Sequence, residues 1–243
     1  MPDVSAVTAL IFAGGTGQRM STRATPKQFL ELHGKPVIIY TIEHFEHHPE
    51  VDRIVVVCLE SWIGELKRLL RRYDIHKVTT IVPGGLTGDA SIYNGLVAMR
   101  DNTSEEDIVL IHDGVRPLID EQLVTDNIAA ARERGAAITV ERAVESVVRV
   151  NAAGEIVDVP PRDEMHVAKA PQSFRYGLIF EAYAWAQAEK VGTIDPAHLC
   201  HLRGIRPRVV VSTPNNMKIT KPTDYYIFRA LYEVMENQQI LAA

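Results

Sequence analysis

Short apolar runs alternate along the chain with stretches of helical periodicity, and this alternation constrains the fold more than any other feature. The apolar runs are nearly continuous, which is typical of strands that are covered on both faces. The sequence therefore predicts an α/β fold, with a mostly parallel sheet and helices on both faces. The six predicted strands are 7–13 (VTALIFA), 53–59 (RIVVVCL), 78–82 (VTTIV), 107–112 (DIVLIH), 136–140 (AAITV) and 208–212 (RVVVS).

Between these runs, apolar residues recur every three or four positions, which is the spacing of one helix face. The groups are Ile38, Ile42 and Phe45; Trp62, Leu66, Leu69 and Tyr73; Ile92, Leu96 and Met99; and Val124, Ile128 and Ala131. Gly135 follows the last group and is a predicted helix C-cap. Because 243 residues fit one large domain, we expect residues 1–243 to form a single domain.

Segment 144–165 breaks the alternation. It contains two runs rich in β-branched residues, joined by residues 151–154 (NAAG), and this pattern indicates a β-hairpin rather than a helical crossover. An isolated hairpin of this size is marginally stable in water. We therefore expect a protruding hairpin arm at about 144–165 that lies on its own domain or on a second subunit.

Composition excludes several classes of protein. The formal net charge of −5 argues against a nucleic-acid partner, which usually requires a basic face. Cys58 and Cys200 form neither a disulfide framework nor a metal-ligand pattern, and sparse cysteine suits a reducing cytoplasm. The first apolar run has no basic start and is too short to span a bilayer. We therefore expect a cytoplasmic protein without a membrane partner, in which Cys58 is a buried strand thiol.

A glycine-rich segment with cations follows the first predicted strand, and residues 10–30 read LIFAGGTGQRMSTRATPKQFL. Gly14, Gly15 and Gly17 let the backbone approach a ligand closely, and successive N–H groups in such a loop form an anion-binding concavity. Arg19 and Lys27 follow. The spacing matches neither the dinucleotide fingerprint nor the P-loop. From these residues alone, a plain tight turn with nearby cations stays open as an alternative.

Residues 10–30 resemble the signature LxxAGGxGxRM…PKQ of sugar- and polyol-phosphate nucleotidyltransferases. Segments 111–118 (IHDGVRPL), 170–174 (APQSF) and 216–224 (NMKITKPTD) are similar to the cytidylyltransferases that make CDP-methylerythritol or CDP-ribitol. The resemblance covers nearly the whole chain in order. It implies a Rossmann-like nucleotidyltransferase fold and a homodimer that exchanges its hairpin arms.

The implied reaction joins CTP and a polyol phosphate, giving a CDP-polyol and pyrophosphate, with Mg²⁺ as cofactor. Because both reactants are polyanions, cations must neutralise the charge that develops between them. The resemblance implies catalytic roles for Arg19, Lys27 and Lys218. It implies that the nucleotide is bound by Ala13, Gly14, Gly15, Gly17, Gly84, Gly85 and Ser91.

Asp113 directly follows a predicted strand and is the candidate metal ligand. A carboxylate at that edge of a sheet suits Mg²⁺, which prefers oxygen ligands. An aspartate that starts a turn before Gly114 fits the spacing equally well. The resemblance favours the metal role. His112 is expected to be a packed strand residue.

The resemblance also assigns residues to the acceptor. Arg116 is implied to reach the acceptor's phosphate, and the planar guanidinium suits two oxygens at once. Ser146 and Arg162, at the two ends of the hairpin, are implied to complete the acceptor pocket of the other subunit. From the residues alone, ordinary polar residues at strand ends stay open as an alternative for Ser146 and Arg162.

Several positions depart from the family pattern, and one of them is Ser146, which stands where a threonine is usual and keeps the hydroxyl. Gly88 stands where an arginine is expected, and Ile194 lies in a segment that usually begins with threonine. Asn215 replaces a metal-binding aspartate of the methylerythritol branch, and segment 161–174 is closer to the ribitol branch. The sequence therefore favours D-ribitol 5-phosphate, which would place the chain in teichoic acid or capsule synthesis. The alternative acceptor is 2-C-methyl-D-erythritol 4-phosphate of isoprenoid synthesis.

Two other classes of function remain as alternatives. A nicotinamide-dependent oxidoreductase is disfavoured because residues 57–59 (VCL) lack the acid that would bind a ribose hydroxyl. A non-catalytic nucleotide sensor on the same scaffold is favoured by Gly88 and Asn215. It is disfavoured by the presence of Arg19, Lys27, Asp113 and Lys218.

Overall fold

The computed structural model describes residues 5–14 and 25–242. The predictions for Gly15, Gly17 and Arg19 lie outside these residues. The strands are β1 (Val7–Ala13), β2 (Glu31–Leu32), β3 (Lys35–Pro36), β4 (Arg53–Cys58), β5 (Val78–Pro83), β6 (Ile108–Asp113), β7 (Ala136–Arg142), β8 (Arg149–Val150), β9 (Ile156–Asp158), β10 (His166–Arg175) and β11 (Arg208–Val211). The helices are α1 (Val37–Glu46), α2 (Ile63–Arg72), α3 (Gly88–Met99), α4 (Glu121–Arg134), α5 (Tyr176–Ala188), α6 (Pro196–Leu202) and α7 (Pro222–Ala242).

Seven strands form one sheet in the order β11-β7-β10-β6-β1-β4-β5. Strand β10 is antiparallel to both of its neighbours, and every other pair in this sheet is parallel. The prediction of a mostly parallel α/β sheet is confirmed, and all six predicted strands are present with ends shifted by at most two residues. Strand β10 and helices α5, α6 and α7 were not predicted.

Helices cover both faces of the sheet, as predicted. Leu10 and Ile11 are adjacent in β1 and fully buried, yet they belong to two different cores, because successive side chains of a strand point to opposite faces. The core around Ile11 is covered by α1, α2 and α4, and the core around Leu10 by α3, α5 and α6. This explains why the strands are apolar throughout. Cys58 is buried at the end of β4, as expected.

The four predicted helices are α1 to α4. Helix α4 ends as predicted at Gly135, which has a φ of 81° and donates its N–H to the Ala131 oxygen at 2.8 Å. Helix α7 packs beyond the sheet, with Phe228 buried against Val115 and Ile219. Within the part of the chain that the structure describes, no helix has the length and apolar character needed to cross a bilayer.

The sheet register brings the ends of four strands to one edge. Ala13 lies beside Cys58, Cys58 lies beside Pro83, and Phe12 lies beside Asp113. Strands β1, β4, β5 and β6 are parallel, so the loops that follow them leave the sheet at the same end. Open α/β sheets bind ligands at this carboxyl edge.

The predicted hairpin is present as a separate two-stranded sheet of β8 and β9. Its turn is held by Asn151, whose Oδ1 accepts hydrogen bonds from the backbone N–H groups of Ala153 and Glu155, both at 3.0 Å. Every residue from 144 to 159 is exposed, and Ile156 is 62% exposed. The hairpin therefore protrudes, and its apolar side chains are exposed in a single chain.

Candidate functional site

A cavity of about 850 Å³ lies at the carboxyl edge of the sheet. Its wall contains the end of β1, the loop after β5 with the start of α3, the end of β6, and the segment before α7. Of the predicted site residues within the described part of the chain, the following line it: Ala13, Gly14, Lys27, Gly84, Gly85, Ser91, Asp113 and Lys218. Arg116, Ser146 and Arg162 are not part of the wall.

Two glycine segments touch each other in this wall. A Cβ atom on Gly14 would lie 3.0 Å from the Cα atom of Gly84 and 3.0 Å from the Oγ atom of Ser91. A Cβ atom on Gly84 would lie 2.8 Å from the Cα atom of Gly14. Glycine at these two positions therefore lets two backbones meet without side chains between them, which exposes backbone to a ligand in the cavity.

Side chains hold the second glycine segment in place. The Oγ atom of Ser91 accepts a hydrogen bond from the Gly85 N–H at 3.0 Å and donates one to the Thr87 oxygen at 2.9 Å. The side chain of Thr87 caps α3 by accepting from the Ala90 N–H at 3.1 Å. Helix α3 therefore begins in the cavity wall, where its N-terminal N–H groups favour an anion.

Gln28, the residue after the cation Lys27, attaches this part of the chain to the end of β1. Its Nε2 atom donates to the Ala13 oxygen at 2.7 Å, and its side chain is buried. Lys27 begins the short 3₁₀ turn Lys27–Phe29 and lines the cavity beside Gln28. In the PKQ motif, Lys27 is therefore followed directly by the glutamine that bonds to the end of β1. Gln28 belongs to that motif, but the motif alone indicates no role for it.

Asp113 lies between two cations. Its Oδ1 atom is 2.5 Å from Lys218 Nζ, and its Oδ2 atom is 3.2 Å from Arg116 Nε. Burial alone would raise the pKa of Asp113, but Lys218 and Arg116 outweigh it and lower the pKa to about 2. The carboxylate is therefore ionised at neutral pH although its side chain is only 8% exposed.

Arg116 lies behind Asp113 and is fixed by several bonds. Its Nη1 atom donates to the backbone oxygen of Asn216 at 3.0 Å and to Asn216 Oδ1 at 3.3 Å. The Nδ2 atom of Asn216 donates to the Ala170 oxygen at 2.8 Å, and the Asn216 side chain is fully buried. Arg116 and Asn216 therefore connect β10 to the carboxylate of Asp113. Asn216 is a part of the site that no local pattern in the sequence indicates.

His112 is a packed strand residue, as expected. Its side chain is fully buried, its Nε2 atom is 3.0 Å from the Arg116 oxygen, and its ring packs edge-on against Phe45 at 5.1 Å. Burial lowers the pKa of His112 to about 3, so the ring is neutral at physiological pH.

The residues present fit a magnesium ion only together with phosphate oxygens. Among the described residues, no group of three or more His, Cys, Asp or Glu side chains is placed to hold a metal ion. Asp113 is a single carboxylate, and Asn215 is exposed and uncharged. Mg²⁺ commonly takes one or two carboxylates and completes its octahedral shell with phosphate oxygens and waters. That arrangement matches a single carboxylate at a phosphate-binding edge.

Of the positions that depart from the family pattern, Gly88 lines the cavity and Ile194 does not. A Cβ atom on Gly88 would meet nothing within 4 Å, and the side chain of Leu86 is fully exposed. Ile194 is also exposed. Ser146 and Arg162 are exposed at the two ends of the hairpin. Within one chain, the structure therefore does not bring these two residues to the cavity.

Comparisons with known proteins agree with this geometry. The family model described as IspD, 2-C-methyl-D-erythritol 4-phosphate cytidylyltransferase, matches residues 7–233. The chain belongs to this family. The predicted resemblance is confirmed, and the family's members are nucleotidyltransferases.

Individual members of this cytidylyltransferase family cover almost the full length of the chain. A ribitol-5-phosphate cytidylyltransferase of Vibrio parahaemolyticus is 45% identical over 96% of this chain and 98% of the relative. One of Streptococcus agalactiae serotype III is 43% identical over 95% of this chain and 97% of the relative. The crystal structure of 4-diphosphocytidyl-2C-methyl-D-erythritol synthase from Anaerococcus prevotii has a TM-score of 0.83 and 28% identity, covering 94% of this chain and 96% of that one.

Proposed function

We propose that this chain transfers the CMP group of CTP to D-ribitol 5-phosphate, giving CDP-ribitol and pyrophosphate. The observation that carries the proposal is the ion pair of Lys218 and Asp113 in a cavity walled by two glycine segments. Such a site offers the N-terminus of α3 and the cations Lys27 and Lys218 to a polyphosphate. The choice of acceptor is supported by the relatives at 43–45% identity that are named for ribitol 5-phosphate.

The reaction is an in-line displacement at phosphorus. An oxygen of the acceptor's phosphate forms a bond to the α-phosphorus of CTP, and the bond from that phosphorus to the bridging oxygen of the leaving pyrophosphate breaks. The reactants repel each other, so the protein must hold both and neutralise the developing charge.

Lys27 and Lys218 are the described cations in the cavity wall. We assign them to the triphosphate and to the charge that develops on the departing pyrophosphate. Arg19 keeps the same assignment from its motif. Asp113 would hold Mg²⁺ together with phosphate oxygens, and a bound Mg²⁺ would supply further neutralisation of charge.

The acceptor pocket is completed in our proposal by a second copy of the chain. Ser146 and Arg162 lie at the ends of an exposed hairpin, whose apolar side chains include Val144 at 74% exposure and Ile156 at 62%. Exchange of the arms in a homodimer would cover this surface and bring both residues to the partner's cavity. Arg116 keeps its sequence-based assignment to the acceptor's phosphate, and its contact with Asp113 gives it a second function in orienting that carboxylate.

A second candidate acceptor is 2-C-methyl-D-erythritol 4-phosphate. The name of the family model and that of the Anaerococcus prevotii structure favour it. Asn215 favours ribitol 5-phosphate, because the methylerythritol branch has an aspartate at that position in the sequence pattern.

Pyrophosphate release tests the proposal and separates the two acceptors. The purified chain is assayed with Mg²⁺, CTP and either ribitol 5-phosphate or methylerythritol phosphate. We expect release with ribitol 5-phosphate and a much lower kcat/KM with methylerythritol phosphate. Preference for the latter would select the second candidate. CTP binding without release on either acceptor would instead favour a nucleotide sensor.

A further inference from the structure

The segment that carries Lys218 has no regular secondary structure. Residues 215–221 run between β11 and α7, and both Lys218 and Thr220 line the cavity. The backbone of this segment is attached to the rest of the fold on both sides of Lys218: the Asn216 oxygen accepts from Arg116 Nη1 at 3.0 Å, and the Ile219 N–H donates to the Val115 oxygen at 2.9 Å. A lysine on an irregular segment needs a further restraint if its ammonium group is to meet a defined partner.

Asp224 provides such a restraint from outside the cavity. Its Oδ2 atom accepts three hydrogen bonds: from the Thr220 N–H at 2.8 Å, from Thr220 Oγ1 at 2.6 Å and from the Lys221 N–H at 2.9 Å. Asp224 is 8% exposed and does not line the cavity. As the third residue of α7, it reaches back to the N–H groups that precede the helix, where a negative charge is favourable.

We propose that Asp224 is a positioning residue that directs Lys218 towards Asp113 and the nucleotide's phosphates. By fixing the backbone of Thr220 and Lys221, it sets the path of the chain two residues after Lys218. On this path the Nζ atom of Lys218 comes within 2.5 Å of Asp113 Oδ1, although the lysine side chain is 40% exposed. The inference rests on the proposed function, because Lys218 is assigned there to the phosphates of CTP.

A role limited to helix capping makes a different prediction, and Asp120 is the matched control. Asp120 caps α4, and its Oδ1 atom accepts from the Leu123 N–H at 2.8 Å. It does not line the cavity, and its described hydrogen bonds are to Leu123 and Val124 of α4. Loss of either carboxylate removes a cap. Of the two substitutions, only the loss of Asp224 would also release the segment that carries Lys218.

The test compares Asp224→Ala, Asp224→Asn and Asp120→Ala with the wild-type chain, by calorimetry with Mg²⁺ and CTP and by kcat/KM with ribitol 5-phosphate. We expect Asp224→Ala to weaken CTP binding and to lower kcat/KM by up to about 100-fold, the scale of loss known for small misplacements of groups that act at the reacting centre. Asp224→Asn keeps an acceptor oxygen and should lose less. Asp120→Ala should stay within about twofold of wild type. Thermal unfolding verifies that each variant is folded. If Asp224→Ala does not fold, the comparison of Asp224→Asn with the wild-type chain decides the test.

The double variant Asp224→Ala with Lys218→Ala separates positioning from stability. If Asp224 acts through Lys218, adding Asp224→Ala to Lys218→Ala should cause little further loss of CTP binding or kcat/KM. The inference would be overturned if the fold-losses of the two single variants multiplied in the double variant. It would also be overturned if Asp224→Ala behaved like Asp120→Ala. If the wild-type chain binds CTP without turnover, the proposed function fails, and the coupling in CTP binding still decides the role of Asp224. A wild-type chain that does not bind CTP overturns both.

Discussion

At the scale of single residues, the site pairs one buried carboxylate with two cations that differ in exposure. Arg116 is buried and bonded to both Asp113 and Asn216, whereas Lys218 is 40% exposed and has one ion pair with Asp113. Removing one partner of a buried pair leaves an uncompensated charge, which is costly. The ion pair of Lys218 with Asp113 is therefore the one that is exchanged at lower cost when a phosphate enters the cavity. Arg116 keeps Asp113 in place.

Lys27→Ala should leave the fold intact and remove most of the turnover. Loss of one preorganised cation at a phosphoryl transfer site costs roughly 3 kcal/mol, or two to three decades in kcat. Steady-state pyrophosphate release measures the loss, and thermal unfolding verifies the fold. Lys67→Ala, on the exposed face of α2, is the control and should behave as wild type. Near-normal kcat in Lys27→Ala would refute the role of this motif.

His112 makes the stability of the protein depend on pH. Its folded pKa of about 3 is far below the value of about 6.5 expected in the unfolded chain, so between these values only the unfolded state takes up the proton. The free energy of unfolding should fall as pH decreases from 6.5, by about 1.4 kcal/mol per pH unit from this histidine.

The His112→Leu variant isolates this contribution, because the other histidines are common to both proteins. Urea unfolding at pH 6.5 and pH 5.0 should show the wild type losing about 2 kcal/mol more than the variant. An equal loss in the two proteins would show that His112 is not held neutral by burial.

At the scale of elements, the cavity depends on the contact between the loop after β1 and the loop after β5. In Gly84→Ala the new Cβ atom would lie 2.8 Å from Gly14 Cα, so one of the two backbones must move. We expect CTP binding, measured by calorimetry, to weaken at least about tenfold. In Gly64→Ala the Cβ atom meets nothing within 4 Å, and this control in α2 should keep its affinity and gain up to about 1 kcal/mol in stability. Equal affinities for the two variants would contradict this account of the cavity wall.

Elements with a strong local pattern could be predicted from the sequence, and elements defined by long-range contacts could not. Strand β6 is a continuous apolar run that ends at Asp113, so both the strand and its edge residue were evident. Strand β10 contains Lys169, Pro171 and Gln172, and its pairing with β6 and β7 is what makes it a strand. Helix α5 is apolar around most of its circumference and shows no single face.

The same distinction applies within the site. The glycines, Lys27, Asp113 and Lys218 lie in motifs that can be read locally. The bond from Arg116 to Asn216 joins residues 100 positions apart, and the bond from Asn216 to Ala170 spans 46 positions. No spacing rule in a single sequence reveals such contacts, so the buried support of Asp113 became visible only in the fold.

At the scale of the whole molecule, the proposal requires two copies of the chain. If each site combines Asp113 of one subunit with Arg162 of the other, a heterodimer of Asp113→Ala and Arg162→Ala chains has one site with both residues intact. Random mixing of these two inactive variants should restore about a quarter of the wild-type activity, since half of the dimers are heterodimers with one intact site. No recovery after verified subunit exchange would count against a shared site.

The most direct test of the account is a crystal structure of the chain with CTP and Mg²⁺. We expect the triphosphate to lie between the segments of Gly14 and Gly84, with its oxygens bonded to Lys27 and Lys218. A nucleotide bound elsewhere, with both lysines directed away from its phosphates, would contradict the proposed site.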